Sequence, residues 1–156
     1  MTVERKNILL QRVEELLEIE KRFITVFYSN PVPTWCKFLT KDDRLLMGLV
    51  NPAYTHATSI SVAAYVGRSD SVIWTMGEPE EFNKVDRAVI RTGTPRRIAE
   101  KAINPKTGKT QYWVGWKWPH MYNNKIVGVV GSAEPFNETF WNQHGTQVLA
   151  ALGEGQ

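Results

Sequence analysis

Cysteine is almost missing from this chain, and its scarcity excludes several classes of protein. Cys36 is the only cysteine among 156 residues, so neither an intrachain disulfide nor a metal site made wholly of cysteines can form. Nothing in this cysteine usage points to an oxidising compartment, and we expect a cytoplasmic protein. The formal net charge of +3 is small and indicates at most a weak preference for polyanions.

Long apolar runs and catalytic motifs are missing as well. The first twenty residues carry too many charges for a signal peptide, and no stretch is long enough to span a bilayer. The sequence has no nucleophile elbow, no phosphate-binding glycine loop and no metal triad. We therefore predict neither a membrane protein nor an enzyme, and the length indicates one domain.

The most informative stretch runs from Thr110 to Phe136. Residues 111–118 and 125–132 are rich in Trp, Tyr, Val and Ile, which predicts two strands. Asn123 and Asn124 lie between them and tolerate the positive φ of a hairpin turn. We expect Pro119 to end the first strand, because proline cannot donate a ladder hydrogen bond.

The remaining pattern predicts three more strands and several helices. The predicted helices cover about 3–27, 53–59, 61–66, 70–76, 80–91 and 137–152, and the further strands cover 34–39, 45–50 and 95–103. This order predicts an α+β domain with a five-stranded antiparallel sheet and short helices on one face. We divide it into an N-terminal helix (1–23), a central domain (24–136) and a C-terminal helix and tail (137–156).

Six fragments of the chain, in the right order, resemble PAS domains over about 24–136. They are FYSNPVPTW (27–35), VNPAY (50–54), YVGRSD (65–70), VIRTGTP (89–95), WVGWKWP (113–119) and IVGVVG (126–131). The resemblance implies a sensory or signalling domain that binds a small molecule or a partner protein and signals through a homodimer. The chain departs from the family at SAEPF (132–136), where many members carry an Asp-Ile-Thr-like triplet.

The usual cofactors of such domains lack their ligands here. Flavin sensors carry their reactive cysteine on a central helix, whereas Cys36 falls on the first strand and reads as a small buried apolar side chain. A coumaroyl chromophore would also need a cysteine near those helices. Haem sensors place a histidine on the long helix, and residues 80–91 contain none. We expect His56, His120 and His144 to face solvent, so haem, flavin and coumaroyl groups are disfavoured and any cofactor is unknown.

A small organic ligand remains possible between the sheet and the helices. The candidate lining residues are Trp74, Met76, Phe82, Val85, Val89, Trp113, Gly115 and Val129. Gly115 is included because it removes a side chain from an aromatic strand and could leave space. The alternative is that all of these residues simply fill a core.

The period of two along the aromatic strand places Trp113, Gly115 and Lys117 on one face and Trp116 and Trp118 on the other. Because tryptophans occur on both faces, the outer face should meet the N-terminal helix or a second subunit. The candidate homodimer contacts are Leu9, Val13, Leu16, Phe23, Trp116 and Trp118.

Two other functions remain open. A ligand-free adaptor for another protein would use the same fold with a filled interior. A single-stranded nucleic-acid module is a weaker alternative, favoured by basic residues between aromatic ones. Those basic residues are Arg87, Arg91, Arg96, Arg97, Lys101, Lys106, Lys109 and Lys117. No residue pattern identifies the downstream signalling protein.

Overall fold

The computed structural model describes residues 2–17, 21–75, 78–151 and 153, with the backbone alone for 12–17 and 21–24. Its helices are α1 (Val3–Leu17), α2 (Lys21–Ser29), α3 (Pro52–Thr58), α4 (Val62–Tyr65), α5 (Glu78–Thr92) and α6 (Glu138–Ala151), with a 3₁₀ turn at Asp70–Val72. Its strands are β1 (Thr34–Leu39), β2 (Leu45–Val50), β3 (Arg96–Ile103), β4 (Thr110–Tyr122) and β5 (Lys125–Asn137). No described helix is both long and apolar enough to cross a membrane.

The five strands form one antiparallel sheet in the order β2-β1-β5-β4-β3. The last strand in the chain therefore lies in the middle, between the β1–β2 pair and the β3–β4 pair. The main core cluster lies between the sheet and the short helices and includes Trp35, Tyr54, Tyr65, Trp74 and Trp113. The predicted α+β class and five-stranded antiparallel sheet are confirmed.

Local signals in the sequence account for several element ends. The Asn51 side chain accepts hydrogen bonds from the backbone N–H of Tyr54 and of Thr34, both at 2.9 Å, so one buried amide caps α3 and fixes the start of β1. Asn123 and Asn124 have φ values of 47° and 59°, as a two-residue hairpin turn requires. Asn137 caps α6 by accepting from the N–H of Phe140 at 2.7 Å.

The predicted end of β4 at Pro119 is wrong. The strand continues to Tyr122, and Pro119 is paired with Val129 of β5. On its other side β4 pairs with β3 only as far as Lys117, opposite Arg96. Because no neighbour on that side needs a donor beyond Lys117, a proline can remain in the strand.

The N-terminal segment forms two helices, where the sequence pattern predicted one helix over about 3–27. Phe27 of α2 packs against Cys36 and Val130 on the outer face of the sheet, with Trp118 and Leu49 beside them. The chain therefore covers part of its own outer face.

Gly128 gives a testable consequence of the close strand packing. A Cβ built there would lie 2.0 Å from the carbonyl oxygen of Lys37, a backbone atom that cannot move alone. Gly128→Ala should therefore lower the free energy of unfolding by about 3 kcal/mol, as measured by urea denaturation.

The matched control for Gly128→Ala is Gly108→Ala, at a turn with φ of 66° and no atom within 4 Å of the added Cβ. Gly108→Ala should lower the free energy of unfolding by only about 1 kcal/mol, because the positive φ is its sole source of strain. Equal losses in the two variants would contradict the packing argument.

Candidate functional site

A small cavity lies between the inner face of the sheet and the helices. Its volume is about 30 Å³, enough for one or two water molecules. Most of its wall is aromatic or apolar, and three charged residues complete it. The lining residues are Trp35, Lys37, Met47, Tyr54, Tyr65, Trp74, Phe82, Glu100, Ala102, Trp113 and Lys117.

The charged lining residues belong to a buried ionic cluster, formed by Lys37, Asp70, Asp86, Glu100 and Lys117. Lys37 Nζ lies 2.5 Å from Asp70 Oδ2 and 2.6 Å from Asp86 Oδ2. Lys117 Nζ lies 2.9 Å from Asp86 Oδ1 and 2.5 Å from Glu100 Oε1. Asp86 therefore bridges the two ammonium groups, and the cluster joins α5 and the 3₁₀ turn to β1, β3 and β4.

The pKa values of the cluster follow from burial and charge. Burial opposes the charge of Lys37, but the carboxylates of Asp70 and Asp86 outweigh it and raise the pKa of Lys37. Burial would likewise raise the pKa of Asp86, but Lys37 and Lys117 hold it below its usual value. For Glu100 burial dominates and raises the pKa.

Tyr65 and Trp74 extend the cluster by neutral hydrogen bonds. The Tyr65 hydroxyl donates to Asp70, and Trp74 Nε1 donates to the Tyr65 oxygen at 3.0 Å. Burial, followed by the negative charge of Asp70, raises the pKa of Tyr65 well above its ordinary value. The phenol therefore stays protonated and acts as a donor.

Three aromatic rings form one wall of the cavity. The Tyr54 and Trp113 rings stack with centroids 5.9 Å apart, and Trp35 meets Trp113 edge-on at 6.4 Å. Trp113 is only 5% exposed, yet its indole Nε1 has no hydrogen-bond acceptor among the described residues. A buried donor without an acceptor is costly, which makes Trp113 a candidate contact for a bound molecule.

A wider surface groove lies outside the cavity, between α5 and the edge strand β3. Its volume is about 500 Å³. Phe82 and Glu100 belong to the walls of both the groove and the cavity. These two side chains therefore separate the interior space from the surface.

The predicted lining residues divide into three groups. Trp74, Phe82 and Trp113 line the cavity. Val89 and Val129 are fully buried outside its wall, and Val85 packs against the core cluster. Met76 lies outside the described residues.

Gly115 does not supply the space that the sequence analysis expected. A Cβ there would lie 2.0 Å from the carbonyl oxygen of Ser132 and 2.6 Å from Cα of Ala133. The backbone of β5 therefore fills the position, and the glycine serves strand packing.

Most charged residues of the site were not predicted from the sequence, although the positions of two of them are unusual. Lys37 stands in the otherwise apolar strand TWCKFL, which is unusual for a surface charge. Asp86 lies four residues after Phe82 and three before Val89, so it shares their buried helix face. Lys117 was placed on the face of Trp113 but was read as part of a basic surface, and it is 1% exposed.

The predicted dimer contacts lie in different surroundings. Trp116 is 45% exposed, whereas Trp118 packs on the Phe27 cluster of its own chain. Leu9 is half-buried near Gly67. The side chains of Val13, Leu16 and Phe23 lie outside the described part of the chain.

The residues considered for cofactors are scattered. Cys36 is buried in β1, and His56 and His144 are exposed. The expectation that His120 faces solvent is wrong, because it is 5% exposed within β4. The reason is the continuation of β4 past Pro119, which places His120 opposite Gly128 of β5.

Asp86 should matter most to the stability of the cluster. Asp86→Asn removes the charge between two buried ammonium groups and should lower the free energy of unfolding by about 3 kcal/mol. Glu100→Gln removes the excess carboxylate and retains an acceptor for Lys117, so at pH 7 it should change stability by less than about 1 kcal/mol. Urea denaturation of both variants measures the contrast, and a larger loss for Glu100→Gln would contradict it.

The pH dependence of the Glu100→Gln variant has a defined sign. Folding raises the pKa of Glu100, so the protonated side chain stabilises the folded state. This contribution is complete below pH 4.5, the ordinary pKa, and is lost as the pH rises through the raised pKa. The free energy of unfolding of Glu100→Gln should therefore increase relative to that of the wild type as the pH rises from 4.5 to 7. Parallel stability curves over this range would contradict the assignment.

Neither a family model nor a curated protein matches the sequence, but solved structures match the fold. VqmA of Vibrio cholerae, in complex with a ligand and DNA, is 22% identical with a TM-score of 0.60, over 90% of this chain and 62% of VqmA. A PAS domain from Colwellia psychrerythraea is 12% identical with a TM-score of 0.60, over 78% of this chain and 99% of that domain. A LOV protein from Rhodobacter sphaeroides is 12% identical with a TM-score of 0.59, over 93% of this chain and 83% of that protein.

Sequence identities this low support a shared fold but not a shared activity. The five-stranded antiparallel sheet with helices matches the PAS and LOV folds of these structures. The chain therefore has a PAS-like fold, as the six sequence fragments implied.

Proposed function

We propose that the protein is a PAS-like sensory domain that binds a small molecule in the inner cavity and signals through a homodimer. The observation that supports this most is the cavity wall, where aromatic rings, two lysines and the unpaired indole N–H of Trp113 meet. Mostly apolar walls with a few placed polar groups are typical of ligand sites. A filled core alone would not require buried charges.

A short physical connection links this cavity to the N-terminal helix. Tyr65, at the end of α4, contacts Asp70 and Trp74 inside the protein. On the outside, the carbonyl oxygens of Ala63 and Val66 accept hydrogen bonds from Arg5 of α1 at 2.7 and 3.0 Å. A ligand that displaces Tyr65 would therefore move α4 and the contacts of α1 together.

The mechanism of this sensor is a population shift. A ligand that binds one arrangement of α4 and α1 more tightly than another increases the share of that arrangement. The cytoplasm is the expected compartment.

Exposed apolar side chains support pairing of two chains. Val3 and Leu10 are 77% and 52% exposed and lie seven residues apart, on one side of α1. Because Leu9 lies against its own chain near Gly67, Leu10 supplies the α1 contact in the proposed homodimer. Trp116 adds an exposed ring on the outer sheet face.

Native mass spectrometry of freshly purified protein tests the ligand. We expect a retained small molecule in the wild type that is lost or reduced in Trp113→Phe, because the indole N–H contributes to binding. Trp116→Phe, outside the cavity, is the matched control. An empty wild-type protein that captures a partner protein at full affinity would favour the ligand-free adaptor.

Sedimentation tests the homodimer. Removal of residues 1–22 should convert the dimer to a monomer, and Leu10→Asn should weaken it about tenfold, because apolar burial on association is lost. Val72→Asn, at a similarly exposed apolar residue on the 3₁₀ turn, is the control and should leave the dimer unchanged. A monomer in every case would rule the dimer out.

A further inference from the structure

The charges around the cavity are arranged in two layers. Lys37, Lys117 and Glu100 lie in its wall, whereas Asp70 and Asp86 lie behind the two lysines and do not line it. The whole cluster contains three carboxylates and two ammonium groups. A bound molecule would therefore meet two ammonium groups and one carboxylate, within a cluster that already carries excess negative charge.

Three hydrogen-bond donors at this wall are available to a bound molecule. An ammonium group has three N–H donors. Lys37 directs two of them to Asp70 and Asp86, and Lys117 faces Glu100 and Asp86. Each lysine thus keeps one N–H without a partner among the residues described, and the Trp113 indole adds a third donor.

We propose, on the basis of the ligand-binding function proposed above, that the cavity receives a small, flat, uncharged molecule that presents hydrogen-bond acceptors to Trp113, Lys37 and Lys117. A cation would lie beside two ammonium groups. An anion would increase the excess negative charge of a desolvated cluster, which is costly. An uncharged acceptor avoids both penalties, and the rings of Trp35, Tyr54 and Trp113 favour a flat shape.

Entry of a ring requires one wall to move. The cavity holds about 30 Å³, whereas an apolar cavity that binds benzene measures about 150 Å³. Phe82 is the side chain best placed to give way, because it separates the cavity from the groove between α5 and β3. Phe82→Ala should therefore admit ring compounds that the wild type binds more weakly.

Four probes of nearly equal shape test the proposal: benzamide, benzoate, benzamidinium and toluene. The readout is the set of indole N–H signals in nitrogen–proton NMR spectra of the full chain, in the wild type and in Phe82→Ala. Trp113→Phe identifies the Trp113 signal by its disappearance. The comparison among probes uses proteins that retain Trp113, so it does not depend on the folding of that variant.

We expect benzamide to shift the Trp113 signal and to bind at least tenfold more tightly than the other three probes. Trp113→Phe should lose about tenfold in benzamide affinity, the equivalent of one hydrogen bond, and should bind toluene as before. Tighter binding of benzoate or benzamidinium, or equal binding of toluene and benzamide, would overturn this inference and leave ligand binding itself supported. No shift with any probe in either protein would count against both proposals.

Discussion

The bridge that Asp86 makes between Lys37 and Lys117 constrains the rest of the structure. Each of these side chains is almost completely removed from water, and an isolated buried charge costs several kcal/mol. The cost is offset only while all partners stay within contact distance. Helix α5 must therefore lie at one fixed position over β1 and β4.

This bridge also shapes the cavity wall. Lys37 and Lys117 line the cavity, and Asp86 behind them holds both ammonium groups in place. A wholly apolar replacement of such a cluster is often as stable or more stable. The ionic arrangement is therefore better understood as a means of placing donors at a defined site than as a source of stability.

The sequence allowed correct prediction of those features whose causes are local. The bounds of β1 and β2, the Asn51 cap and the Asn123–Asn124 turn follow from residues within a few positions of each other. Pro119 was misjudged because its tolerance depends on where β3 stops. Lys37 could be seen as an unusual charge in a strand, but its partners lie 33 and 49 residues further along the chain, so no local pattern could identify them.

The position of α4 is decided by contacts on both of its sides. A helix of four residues has almost no stability of its own, because nucleation is unfavourable and few backbone bonds follow. Its position therefore depends on Tyr65 inside the protein and on Arg5 of α1 outside. The residues directly after α4 are also tied to β2, by backbone hydrogen bonds of Gly67 and Arg68 with Met47. The position of this short helix is thus set jointly by the interior, by β2 and by the N-terminal helix.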